Sequence, residues 1–198
     1  MFFRTIGRGF RNIARFSGRD TLSQFWIYAG SVIVLAVAGW MAIFMPAFMG
    51  SFARMERFAA EHPDQADVVT GPGSYSISIH GNHPELMPDF GTLMAGMSVI
   101  AAVSVVLLAA AVTRRLHDRG KRGYWGLPLL LFLAIGMTLM PGFFSDFAKS
   151  GENGPDMRLF GLIFLNNFLY IVSLAILVVQ LVQSGTRGAN RFGESPLG

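Results

Sequence analysis

The residues best able to do chemistry lie in one short stretch, Arg114-Arg115-Leu116-His117-Asp118-Arg119-Gly120-Lys121-Arg122. A carboxylate can orient a histidine as a general base, which would let His117 and Asp118 act on a lipid headgroup. Adjacent residues on a helix point about 100° apart, however, and no serine or other nucleophile is implied nearby. The competing reading is a salt-bridged anchor, with Arg114 and Asp118 at i, i+4 on any helical continuation. A second group, His62, His80, His83 and Glu85, has the types that bind metals but matches no ligand signature. With no cysteine, disulfides, thiolate metal sites and a cysteine nucleophile are all excluded. The expectation is therefore a protein that is not an enzyme, with no assigned catalytic, cofactor or metal residue.

The elements that must position these residues follow from the placement of charge. Only 14% of the 198 residues are charged and 52% are hydrophobic, against about a quarter charged in soluble domains. Every Lys, Arg, Asp and Glu lies outside four windows, 25–49, 90–113, 124–144 and 159–184. Each is long enough for the roughly 20 residues that cross a ~30 Å hydrocarbon core. Backbone amides in lipid must be satisfied within their own segment, and the alternating strands of a barrel are absent. The predicted fold is an all-α membrane protein, a four-helix transmembrane bundle forming one domain over 1–198.

Orientation comes from Lys and Arg. With four spans, the N-terminal segment (Arg4, Arg8, Arg11, Arg15, Arg19), the connection after the second span and the tail (Arg187, Arg191) share one side. The other side carries Arg54, Arg57, Lys149 and Arg158 among most of the carboxylates. Basic loops stay cytoplasmic, so both termini are expected inside. The pI near 10 is accordingly a membrane-surface signal and not one for nucleic acid, and the expected partners are anionic lipids.

Along the chain, Phe2, Phe3, Ile6, Phe10, Ile13 and Phe16 recur at threes and fours opposite Arg4, Arg8, Arg11 and Arg15. This predicts a basic amphipathic interfacial helix within 1–20, against which Gly7 and Gly9 count at ~1 kcal/mol each. A calmodulin-type target helix would share that pattern. Asp20 or Thr21 would cap the first span. Phe25 and Trp26, then Tyr124 and Trp125, form interfacial aromatic belts. The positively charged flank suits an uncleaved signal anchor. Pro46 is expected to kink or stop the first helix, with Ser51 to His62 as a separate short amphipathic helix in the external segment 50–89. Ser74 to His80 alternates as a strand for which that loop offers no obvious partner. Gly91, Ala95, Ser98 and Ala102 form a small-residue stripe that would place the second span inside the bundle. Pro128 and Pro141 fit boundaries of the third span, and the connection from Ser145 to Arg158 reads as a flexible turn. Asn166 and Asn167 are intramembrane polar packing residues, each able to bond across a helix interface. No Asp, Glu, Lys, Arg or His lies inside any window, so a proton relay, a fixed ion-coordinating charge or a haem-ligating histidine is missing there. The tail is expected to fold back on the basic stretch, with Glu194 facing Arg114, Arg115 or Arg119 and Asp20 and Asp118 as other available anions.

Gly18-Arg19 before Phe25-Trp26, then Arg114-Arg115-Leu116-His117-Asp118-Arg119-Gly120-Lys121 with Gly123-Tyr124-Trp125, and finally Asn190-Arg191-Phe192-Gly193 with Pro196, resemble the DUF805 family of small bacterial inner-membrane proteins. The resemblance spans nearly the whole chain. It implies a multi-pass inner-membrane protein of a class without an assigned activity, so no catalytic residue carries over. The external segment is longer than the usual family connection.

Three readings of function follow. In the first, the chain is a non-catalytic accessory subunit or organiser of membrane-protein and lipid partners, or a homo-oligomer. The basic residues Arg114, Arg115, His117, Asp118, Arg119, Lys121 and Arg122 then serve anionic-lipid or loop contacts. The second is a small transporter or channel subunit with a polar site near Asn166 and Asn167. The third is a lipid-headgroup enzyme using His117 and Asp118.

Overall fold

In the computed structural model, which describes residues 2–81, 83–149 and 156–195, each charge-free window is helical except for Gln183 and Ser184 at the end of the fourth. The helices are α1 (Phe2–Arg11), α2 (Leu22–Glu61), α3 (Phe90–Asp118), α4 (Leu127–Lys149) and α5 (Met157–Val182). Among the described residues the other elements are strands β1 (Ala66–Gly71) and β2 (Ser74–Ile79) and two 3-10 turns, Pro84–Leu86 and Gly123–Gly126. Asn82, most of the connection after α4 (150–155) and Pro196 lie outside the described residues.

Four helical stretches are long and apolar enough to cross a membrane: α2, Pro84–Asp118, Gly123–Asp146 and α5, with mean hydropathies of 2.0 to 2.4. At most 11% of any of their apolar windows is buried within the protein. Apolar side chains this exposed, such as Val34 and Phe164 at 67% each, need a lipid environment.

The chain forms two compact units, Met1–Val37 with Ser98–Gly198, and Ala38–Met97. The core of the first unit sits where all five helices contribute. Phe25, Tyr28, Ala29 and Val32 from α2 meet Ala111 and Leu116 from α3 and Leu177 and Leu181 from α5, with Phe10 of α1 and Leu129 of α4 packed against them. Tyr28 donates its hydroxyl to the Leu107 carbonyl (3.0 Å) and meets Phe10 edge-on at 5.4 Å. Gly9 is what lets α1 come so close. A Cβ there would stand 2.6 Å from Tyr28 Cε2 and nearer still to Cδ2 and Cγ. The glycine that weakens α1 as an isolated helix is required for its docking. α1 ends at Arg11, short of the predicted Phe16.

Thr21 caps α2. Its Oγ1 accepts from the Gln24 amide (3.2 Å) while Gln24 Oε1 accepts from the Thr21 amide (3.1 Å), the reciprocal capping box. Pro46 does not stop the helix, and Ser51 to Glu61 continues it. One proline removes one backbone bond, which the rest of an apolar helix tolerates. Pro141 likewise lies inside α4 and Pro128 at its start.

In the second unit, the strand from Ser74 does find a partner. β1 pairs with β2 antiparallel, from Ala66 with Ile79 to Gly71 with Ser74. The β-branched run Val68-Val69-Thr70 supplies the partner and Pro72-Gly73 the turn, with Gly73 at φ +79°. Phe52 of α2 meets Tyr75 edge-on at 5.9 Å. Arg54 donates to the Glu85 and Met87 carbonyls (3.2 and 3.0 Å), and Ser51 Oγ donates to Leu86 O. The small-residue stripe of α3 is not an interior seam, because Gly91, Ala95 and Ala102 are exposed. Close approach occurs instead at Gly96, where a Cβ would meet Ile43 Cδ1 at 2.8 Å.

Candidate functional site: a buried charge cluster at the end of α3

The connection after the second span is half helix. α3 continues past its last apolar residues to Asp118, so Arg114, Arg115 and Asp118 stand on its final turn and are all buried, Arg115 completely. They are joined by Arg19 and Asp20 from the segment before α2, also buried.

Two carboxylates organise the cluster. Asp118 receives Arg19 at 2.9 Å through Nη2 and 3.0 Å through Nε on one oxygen, and Arg115 Nη1 at 2.5 Å on the other. Asp20 accepts from Arg114 Nε at 2.8 Å on one oxygen, and its other oxygen lies 3.0 Å from Arg8 Nη2 as an ion pair without a hydrogen bond. Arg114 thus pairs with Asp20 and not with Asp118, as the i, i+4 spacing had suggested. Helix spacing only ranks neighbours on one surface. The partner 94 positions away offers a carboxylate that the fold has already buried.

Backbone carbonyls take most of the remaining guanidinium donors. Arg115 donates to Leu181 O (3.0 Å) and Gln183 O at the end of α5, and Arg114 to Asn12 O (2.9 Å) and Arg15 O. Arg19 reaches Thr186 O and Gly188 O, at 2.8 and 2.7 Å. The tail therefore does fold back. Thr186 donates its amide (2.8 Å) and hydroxyl (3.0 Å) to the Asp118 carbonyl, Asn190 Nδ2 donates to His117 O (3.0 Å), and Arg191 Nη2 to Gly120 O (2.7 Å). Gly185 permits the approach, since a Cβ there would lie 2.6 Å from Asp118 Cγ. Glu194, expected to face Arg114, Arg115 or Arg119, is exposed and pairs with none of them. Their acceptors are Asp20, Asp118, the Gln183 side chain and backbone carbonyls.

His117 and Asp118 do not form a base and its orienter. The His117 ring stacks flat on Phe192, centroids 3.8 Å apart at 7°, and its Nδ1 lies 3.3 Å from Gly18 O. His117 lies beyond the apolar run that ends at Thr113. Burial pushes its imidazole below the usual range, outweighing the upward pull of the Gly18 carbonyl, and Arg191 lowers it further. Arg119 bonds Gln180 O (3.3 Å) and the Gln183 side chain, Lys121 sits over the Trp125 ring at 4.8 Å, and Arg122 is exposed.

The other candidates are dispersed. Asn166 Nδ2 donates to Phe132 O of α4 at 3.1 Å beside Gly136, whereas Asn167 is exposed, so the two do not make one polar site. His80 pairs with Asp67 and His83 with Glu85, each at 3.0 Å, and His62 stacks on Phe58. Among the described residues no three His, Asp or Glu side chains come together as metal ligands would. Sequence reasoning missed Arg19, Thr186, Asn190 and Gly185 as members of the cluster. The signal was there in the side assignment, which puts the N-terminal segment, the end of α3 and the tail on one face.

No curated protein and no solved structure matches the chain significantly. The family model described as "Protein of unknown function (DUF805)" matches residues 13–194, a range that takes in every member of the cluster except Arg8 and Asn12 of the first segment. The chain belongs to the DUF805 family.

Proposed function

We propose that this is a multi-pass protein of a bacterial inner membrane, with both termini cytoplasmic, that has no catalytic activity and acts through its helix and loop surfaces. Its role is that of an accessory subunit or organiser of membrane-protein and anionic-lipid partners. The observation that carries this reading is how the most reactive side chains are used. Asp118 is held by Arg19 and Arg115, and His117 is covered by Phe192, so the polar chemistry of the chain is spent on closing its own ends together. The basic residues Arg4, Arg8, Arg11 and Arg15 gather on and after α1, while Phe2 and Phe3 beside them are exposed, Phe3 to 84%, which suits a helix lying in the headgroup plane. Orientation rests on the same excess of Lys and Arg.

The test is extraction of the tagged protein from its own membrane into nanodiscs, followed by mass spectrometry of the intact particle. A stoichiometric second membrane protein, or a defined homo-oligomer with retained anionic lipid, is the expected result. A lipid-indifferent monomer that turns over headgroups in a His117-dependent way would overturn it.

A further inference from the structure

A pocket of about 180 Å³ opens beside the charge cluster, lined by Arg8, Asn12, Arg15, Ser17, Arg19 and Arg114 together with the Gly18 backbone. Four of those residues are arginines and none is acidic. The nearest carboxylate, Asp20, is already shared between Arg114 and Arg8. Behind the pocket, Arg19, Arg114 and Arg115 are buried with only Asp20 and Asp118 to balance them, so Asp118 is shared by two guanidiniums and the interior keeps one positive charge in excess. Arg114 is the residue that joins the two regions. Its Nε and Nη1 are used by Asp20 and by the Asn12 and Arg15 carbonyls, while its Nη2 has no acceptor among the described residues. A buried cation with an open donor, in a cavity walled by more cations, calls for an anion that can accept several hydrogen bonds at once.

We infer that this pocket binds a phosphate group. A tetrahedral phosphate offers separate oxygens to Arg8, Arg15 and Arg114, and the Ser17 hydroxyl adds a neutral donor. The volume holds a phosphate and the start of one ester substituent, since one water takes about 30 Å³ of liquid. The pocket also lies only a few residues before Phe25 and Trp26, where the first apolar window begins. A phospholipid headgroup arrives at that height, and free phosphate from solution would present the same chemistry. This inference uses the membrane-surface placement proposed above and adds a defined site to it.

The experiment uses the full chain in phosphatidylcholine nanodiscs, titrated in one arm with phosphatidylglycerol and in the other with inorganic phosphate, with retained ligand counted by native mass spectrometry. The variants are Arg15→Gln and the pair Arg8→Gln/Arg15→Gln, against Arg4→Gln/Arg11→Gln, which removes equal charge from outside the pocket. Arg15 has an exposed side chain and contributes only its carbonyl to the cluster, so Arg15→Gln leaves the fold in place. We expect Arg15→Gln to weaken ligand retention about tenfold, the scale of one charge-assisted hydrogen bond, with the pocket pair weaker still. The Arg4/Arg11 pair should stay within about twofold, as for a screened surface charge. Dependence on the pocket arginines in the lipid arm assigns the headgroup, and in the phosphate arm the free ion. Equal losses in both variant pairs, or no binding in either arm, overturn the site. A monomeric particle with pocket-dependent binding would sink the organiser reading and leave this site standing.

Discussion

Replacing Gly9 by alanine should harm the protein, although helix propensity alone says that it should help. Alanine is better than glycine in a helix interior by about 1 kcal/mol, and Gly7, one turn-fraction away on the same helix, has nothing within 4 Å of its missing Cβ. Gly7→Ala should therefore firm α1 by something under 1 kcal/mol. At Gly9 the new methyl would lie 2.6 Å from Tyr28 Cε2 and closer to two other ring carbons, where carbon atoms rest about 3.5–4 Å apart. Tyr28 cannot step aside cheaply. It is 2% exposed, its hydroxyl is bonded to Leu107 O, and its ring meets Phe10. Overpacking of this kind costs about 1–3 kcal/mol, and loss of the hydroxyl bond adds about 1. After subtracting the propensity gain, Gly9→Ala should cost about 2 kcal/mol in the docking of α1, and the two variants should differ by about 3. Hydrogen exchange of the α1 amides in nanodiscs measures this directly. Faster exchange in Gly9→Ala and slower exchange in Gly7→Ala is the expected pattern. If both variants slowed exchange equally, the docking of α1 against Tyr28 would be refuted.

Gly185→Ala should displace Asp118 and release the tail, lowering the melting temperature and exposing residues 186–195 to protease; an unchanged cleavage pattern would deny the contact. The His117 stack should be sensitive to pH. Its folded-state value is lowered, so the neutral ring's contribution is complete above the unfolded value near 6.5 and is lost as pH falls through the folded value. Tail protection should therefore decline as pH falls below about 6.5. The decline should vanish in His117→Phe, and equal pH dependence in that variant would assign it to another group.

The apolar helices were legible because lipid imposes a rule that sequence can express directly. A crossing segment must be about 20 residues long and free of charge, and each of the four windows lies in a long apolar helical stretch to within two residues. The boundaries were less so. α2 runs through Pro46 to Glu61, and α3 through its first charged residues, because continuing a helix costs less than ending one where backbone groups need partners. The hairpin was half visible: Ser74–Ile79 alternates cleanly, whereas β1 carries its signal in a short β-branched run and a Pro-Gly turn. The cluster itself was the hardest part. Arg19 and Asp118 are 99 positions apart, and local spacing rules see only the neighbours of each. That the tail returns to the end of α3 could be read from shared sidedness. Which carboxylate meets which arginine is decided by packing, through Gly9 and Gly185, whose value lies in what they lack.

The central claim is that Arg19 and Asp118 act as a structural clasp between the N-terminal segment and α3. A double-mutant cycle of Arg19→Ala, Asp118→Ala and the combined variant, read by reversible unfolding in detergent micelles or nanodiscs, measures it most directly. Asp118→Ala leaves Arg19 and Arg115 buried without their carboxylate and should cost about 3–5 kcal/mol, whereas Arg19→Ala should cost less because Arg115 still holds Asp118, with the double variant less than additive and a coupling of at least about 1 kcal/mol. Strictly additive losses, or single variants as stable as the parent, would contradict it.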